Sequence, residues 1–143
     1  MASVISIKAI TNIRNAALAK LGHAVVGYSL INTRILSILI KEGVIQGFQI
    51  KEGEIIVSLL NSEIARRKLR DIRVVSKPSK QIYAKLRVLR EVQAKLGASI
   101  NCLTFVSTNL GIVTIEEAIE RGLGGEVLFA ANSFVIEAIA LAK

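Results

Sequence analysis

The apolar residues of this chain change period along its length, and that change limits the fold more than any other feature. Between Ser3 and Leu21, Ile7, Ile10, Ile13, Ala17 and Leu21 recur at steps of three or four, while Lys8, Asn12, Arg14 and Asn15 fall mainly off that line. Such spacing lays one apolar stripe along a helix, predicted to close at Gly22. Val25 and Val26 begin a short extended link. Ser29 can accept hydrogen bonds from the exposed N–H groups of a helix start, and Ile31, Ile35, Ile38 and Leu39 continue as the stripe of a second helix that stops at Gly43. The period then drops to two. VIQGFQI and EIIVSLL flank Lys51-Glu52-Gly53 and read as a hairpin. Two helices on a small antiparallel sheet make residues 1–65 an α+β domain.

Asn61 to Val75 is charged and without a clear period, which places a basic linker at 66–75. Beyond it, Pro78 in SKPS marks a turn. Ile82, Ala84, Leu86 and Val88 alternate with Tyr83, Lys85 and Arg87, the pattern of a half-exposed strand that presents a ring and two cations on one face. Arg90 to Leu96 suits one or two helical turns. SINCLTFV reads as a buried strand, Asn109-Leu110-Gly111 as a turn, and Thr114-Ile115-Glu116-Glu117 as a capping box opening a short helix that Gly122 closes. EVLFAA is a further strand. The segment 76–132 is thus a mostly β domain with a short helix, and 133–143 is a helical extension striped by Val135, Ile136, Ile139 and Ala140. The class is α+β, in two small subdomains.

Charge is concentrated in the middle of the chain. Eleven Lys or Arg lie between Arg66 and Lys95 against Asp71 and Glu91, whereas the remainder holds eight bases and nine acids. A positive excess this local favours a polyanion, because bound phosphates release condensed counterions. Arg66, Arg67, Lys68, Lys77 and Lys85 are the candidate phosphate contacts, with Tyr83 as a candidate stacking ring.

Catalytic chemistry is poorly supplied. His23 is the only histidine and Cys102 the only cysteine, so a zinc cluster and an internal disulfide have no residues to form them. Cys102 lies in the apolar run ASINCLTFV and suits a packing role. A phosphate-binding GxxxxGK[ST] loop is missing, and Gly122-Leu123-Gly124-Gly125 lacks the strand–turn–helix setting of a dinucleotide site. Neither catalysis nor a cofactor or metal is expected. The longest uncharged run, Gly97 to Ile115, carries six residues such as Asn101, Ser107 and Asn109 that make it a poor membrane span.

The segment VSTNLGIVTIEEAIERGLGGEVL, Val106 to Leu128, resembles the C-terminal signature of the bacterial-type ribosomal protein eight family of the small subunit. Ser107, Thr108, Gly111, Thr114, Glu117, Ala118, Gly124, Gly125 and Glu126 match it. TNIRNA near the start, KEGVI at the end of the second helix and RVVSKPSKQIYAK agree with the same family in order and spacing, so the likeness covers about residues 5 to 131. The sequence departs from the pattern at Asn109 and Leu110 (serine and lysine in the family), at Val113, Ile115 and Ser79, and at Leu30 and Asn32, where the family has lysines.

The resemblance implies a two-domain protein that binds the central domain of small-subunit ribosomal RNA, as a monomer among neighbouring ribosomal proteins, with no membrane and no small-molecule substrate. It assigns the RNA contacts to Ser107, Thr108, Asn109, Gly111, Gly124, Gly125 and Glu126, with help from Arg14 and Asn15. Short side chains on such a turn let RNA backbone and 2′-hydroxyls approach closely, and the glycines permit close approach or unusual dihedrals. The eroded lysines, the Ile- and Leu-rich core and the extra tail point to an organellar subunit, mitochondrial first, with plastid and bacterial cytoplasm behind it. A mainly protein-contacting scaffold in an RNA-poor particle is the rival reading. The first acid is Glu42, so the start of the chain imitates a mitochondrial transit peptide. The family places this first helix inside the folded domain, and it is expected to be retained.

Overall fold

A computed structural model describes residues 4–76, 79–96 and 104–130. The chain divides between Asp71 and Ile72 into two compact units, and the fold is α+β. The segment expected as a basic linker, 66–75, instead holds the end of a helix and a two-residue strand.

In the first unit, helix α1 (Val4–Leu18) buries Ser6, Ala9, Ile10, Ile13, Ala16 and Ala17. Small residues on that face let the helix sit close to strand β1 (His23–Gly27). The N–H of Leu21 donates to the Ala16 carbonyl and that of Lys20 to Ala17, with Lys20 at φ +58°. This is a Schellman ending, which satisfies carbonyls left over at the helix terminus. Lys20 and not Gly22 therefore takes the left-handed position that closes the helix, and Leu21, expected on the apolar line, is exposed. Helix α2 (Leu30–Lys41) is capped by Ser29, whose hydroxyl accepts from the Asn32 N–H at 3.0 Å, and ends in the same motif with Gly43 at φ +71°. Strands β2 (Ile45–Lys51) and β3 (Glu54–Leu59) form the expected hairpin, turning through Glu52 and Gly53, both at positive φ. That pairing of dihedrals matches the right-handed twist of the two strands. The sheet order is β1-β3-β2, all antiparallel, so Val25 and Val26 belong to an edge strand and not to a link. Asn12 on α1 donates to the Val25 carbonyl, occupying a group on that edge.

A third helix, α3 (Glu63–Arg70), completes the unit. Ser62 caps it, and only Ala65 and Leu69 are buried, one i, i+4 step. Eight residues sample the helical period barely twice, which is why the charged segment shows no period in sequence.

The second unit has strands β4 (Arg73–Val74), β5 (Tyr83–Ala84), β6 (Thr104–Thr108), β7 (Gly111–Thr114) and β8 (Gly125–Ala130). Their order is β4-β8-β6-β7, with β5 also paired to β8. Two helices accompany them, where the sequence predicts one short helix and one or two helical turns over Arg90 to Leu96. Helix α4 (Leu86–Leu96) begins where the sequence reading continued a strand to Val88. Val88, Leu89 and Val92 are all buried, a spacing that only a helix can turn to one core. The alternation of Leu86 and Val88 with Arg87 suited both periods. Helix α5 (Ile115–Glu120) is capped by Thr114, which accepts from Glu117 N–H, and closes at Gly122 with φ +69°. Phe105 and Phe129 meet edge to face, centroids 6.1 Å apart, and both are fully buried. The extension 133–143 and Cys102 lie outside the described residues.

Candidate nucleic-acid interface

Strand register places three expected site residues side by side. In the second unit Tyr83 pairs with Glu126 across β5–β8, and Ser107 pairs with Glu126 across β6–β8. Ser107 is also opposite Ile112 on β7. Residues directly opposite on antiparallel strands point to the same face, so Tyr83, Glu126 and Ser107 form one row. Glu126 is only 3% exposed. A carboxyl group buried this deeply calls for hydrogen-bond partners, because desolvating it without them is costly. Tyr83 is 55% exposed and its hydroxyl donates to Gln81 Oε1 at 2.7 Å. The ring is thus oriented from its polar end while a face remains open for stacking.

Gly124 and Gly125 sit behind this row, and of the two properties expected of them, close approach and unusual dihedrals, the structure shows the first. Neither adopts positive φ. A Cβ at Gly125 would stand 2.1 Å from the Ser107 carbonyl oxygen, and one at Gly124 would stand 2.7 Å from that of Ala84. The missing side chains admit the protein's own backbone, drawing β8 against β6 and against the β5–α4 junction. A concavity of about 640 Å³ opens beside them, lined by Tyr83 to Val88 and by the two glycines. Lys85 and Arg87 are exposed there, and Arg87 reaches Glu91 at 3.3 Å. The alternation predicts Arg87 on one strand face with Tyr83 and Lys85, and the structure places it on α4 instead.

The β6–β7 turn is braced by Thr108. Its hydroxyl donates to the Gly111 carbonyl at 2.8 Å and accepts from the Leu110 N–H at 3.2 Å. Gly111 has φ +113°, so here the residue's conformational freedom is required by the turn. Thr108 is among the residues expected to let RNA approach closely, and both of these bonds of its hydroxyl lie within the turn. Asn109 and Leu110 form the exposed tip, Leu110 at 62%.

The remaining residues belong to the first unit. Arg14 Nε donates to the Arg70 carbonyl at 3.1 Å, closing the end of α3. Asn15 is exposed. Arg66 pairs with Glu63 at 3.3 Å and donates to Asn61. Arg67 lies 3.8 Å from the same carboxylate and is well exposed, and Lys68 is half-buried. Exposed pairs of this kind contribute roughly 0–1 kcal/mol, so Arg67 can exchange its partner for a phosphate at little cost. Lys77 lies outside the described residues. Asn32, where the family has a lysine, is buried and donates to the Gly27 carbonyl at 2.9 Å; Leu30, at the other lysine position, is exposed. Among the described residues no His, Cys, Asp and Glu cluster could hold a metal, and no helix is long and apolar enough to cross a membrane.

The family model described as Ribosomal protein S8 matches residues 6–131. The small ribosomal subunit protein uS8 of Saccharopolyspora erythraea is 34% identical over 123 residues, covering 83% of this chain and 89% of that protein. The uS8 proteins of Rhodococcus erythropolis and Helicobacter pylori are 36% and 30% identical over the same length, with 89% and 90% of those proteins covered.

Proposed function

The chain belongs to the ribosomal protein S8 family, and from that premise we propose that its second unit binds the central domain of small-subunit ribosomal RNA. Its role is that of a structural constituent of the small subunit and not of an enzyme. One observation carries the RNA reading: register sets an exposed aromatic ring, a buried carboxylate and a small hydroxyl in one row, Tyr83–Glu126–Ser107. An exposed ring stacks a splayed base, and short polar groups accept close approach of ribose and base edges. Lys85 and Arg87 supply phosphate contacts beside that row, and Asn109 with Leu110 meets the RNA from the turn. In the first unit, Asn15, Arg67 and Lys68 add positions for phosphate.

We also assign the protein to an organellar small subunit, mitochondrial before plastid, beside neighbouring ribosomal proteins. Support comes from the uncharged residues at three family lysine positions, two of them exposed leucines, Leu30 and Leu110. Each removes a phosphate contact, as suits a particle with less RNA. The relatives named above are bacterial proteins, so a bacterial cytoplasm is the alternative location.

A filter-binding titration with a transcript of the central domain, at several salt concentrations, tests the reading. Saturable binding that weakens with salt and falls about tenfold on Tyr83→Ala is the expected result. Binding no tighter than to an unrelated RNA of equal length overturns it in favour of a protein-contacting scaffold.

A further inference from the structure

Strand β5 is two residues long, and β8 is the strand it pairs with. So short a pairing holds an exposed ring poorly, since each backbone hydrogen bond contributes little net stability in water. Just upstream lies Ser76, fully buried. Its hydroxyl donates to the Val127 carbonyl at 2.6 Å and accepts the Ile82 N–H at 2.8 Å. The Val127 N–H in turn donates to the Ile82 carbonyl at 2.9 Å. One hydroxyl thus ties the Ile82 backbone to that of Val127, which lies 51 residues from Ser76 in sequence. Its two partners immediately precede Tyr83 and immediately follow Glu126, the cross-strand pair at the centre of the interface.

We propose that Ser76 is a positioning residue for RNA binding: its buried hydroxyl fixes Tyr83 opposite Glu126, so that the ring is held in stacking geometry before RNA arrives. This rests on the reading of Tyr83 as an RNA contact. Preorganising a ring removes the cost of immobilising it on binding. The requirement is chemical. A buried group at 76 must donate to one main-chain carbonyl and accept from one N–H at once, which a hydroxyl does and an alanine cannot.

The chain has two tyrosines and no tryptophan, so Tyr28→Phe leaves Tyr83 as its only tyrosine emitter. In that full-length background, Ser76→Ala, Tyr83→Ala and the double variant are titrated with the central-domain transcript, well below each protein's unfolding midpoint. Tyr83 emission anisotropy is recorded without RNA. Each single change should weaken binding about tenfold, the scale of coupling between residues in one network. The double variant should bind within about twofold of Tyr83→Ala alone, and Ser76→Ala should lower the anisotropy of Tyr83. Ser76→Cys, which keeps a weaker donor and acceptor in a similar volume, should fall between wild type and alanine in both readouts, and decides the matter where Ser76→Ala does not fold. Losses that multiply in the double variant, or an unchanged anisotropy in the Ser76 variants, overturn the inference alone. An unaltered affinity in Tyr83→Ala overturns the premise, and the inference with it.

Discussion

Gly125 lies so close to Ser107 that a Cβ at position 125 would stand 2.1 Å from the Ser107 carbonyl oxygen. The contact is between two backbones, β8 and β6, and it sits beside the residue that pairs with both Ser107 and Tyr83. Gly125→Ala should therefore act first on stability. Overpacking against backbone costs about 1–3 kcal/mol or more, which a lowered urea or thermal midpoint would register. Gly124→Ala should show the same sign, since its nearest neighbour, at 2.7 Å, is also backbone. Unchanged midpoints in both variants would mean that the glycines serve the ligand and not the fold.

The turn tip offers a cleaner probe of recognition. Leu110 is exposed and its side chain occupies the position of the family's lysine. Leu110→Lys should leave the unfolding midpoint within about 0.5 kcal/mol of wild type and raise RNA affinity. One added phosphate contact steepens the plot of log affinity against log salt by roughly 0.7–0.9. An unaltered slope would show that the tip faces something other than RNA.

Thr108 separates turn from ligand. Thr108→Val removes a donated and an accepted hydrogen bond while keeping shape. Each is worth about 0.5–1.5 kcal/mol, so calorimetry should find the variant less stable. Where bracing the turn is the hydroxyl's whole contribution, raising the RNA concentration should restore occupancy. A stable variant that has lost affinity would place the hydroxyl at the RNA after all.

In the first unit, replacing Arg67 and Lys68 together by Gln should flatten the salt dependence of RNA binding without a measurable change in stability. Arg66 is left intact because Glu63 and Asn61 already engage it. A slope equal to wild type counts against α3 as a phosphate-contacting surface.

Helix α1 should persist in the mature protein, despite its acid-free sequence. Ile13 is 1% exposed and Ala9, Ile10, Ala16 and Ala17 are buried with it. Ile13→Ala alone should cost about 2–5 kcal/mol, and cleavage beyond Gly22 would strip the unit of this whole face. Intact-mass measurement on protein from assembled subunits should find the helix present, and a start beyond Gly22 would refute the assignment.

What the sequence determined by itself was mostly local. Ser29 and Thr114 cap helices, Gly43 and Gly122 close them, and Glu52-Gly53 turns a hairpin, because each depends on the dihedrals and side-chain reach of a few adjacent residues. The hairpin strands β2 and β3 and the α+β class followed from period in the same way, whereas β1 was expected only as an extended link. Tertiary structure decided the rest. Lys20 took the left-handed position that Gly22 was expected to govern, because burying Ala16 and Ala17 against β1 fixed where α1 had to stop. Leu86 and Val88 suited strand and helix alike, and the core that also takes Leu89 and Val92 selected the helix. The residue types around the candidate site were legible in sequence, but not their arrangement. Tyr83, Ser107 and Glu126 become neighbours only through the register of three strands, and the glycines beside them answer to backbone distances across the sheet. Register and interstrand spacing are set by pairing between distant segments, and local periodicity carries no record of either.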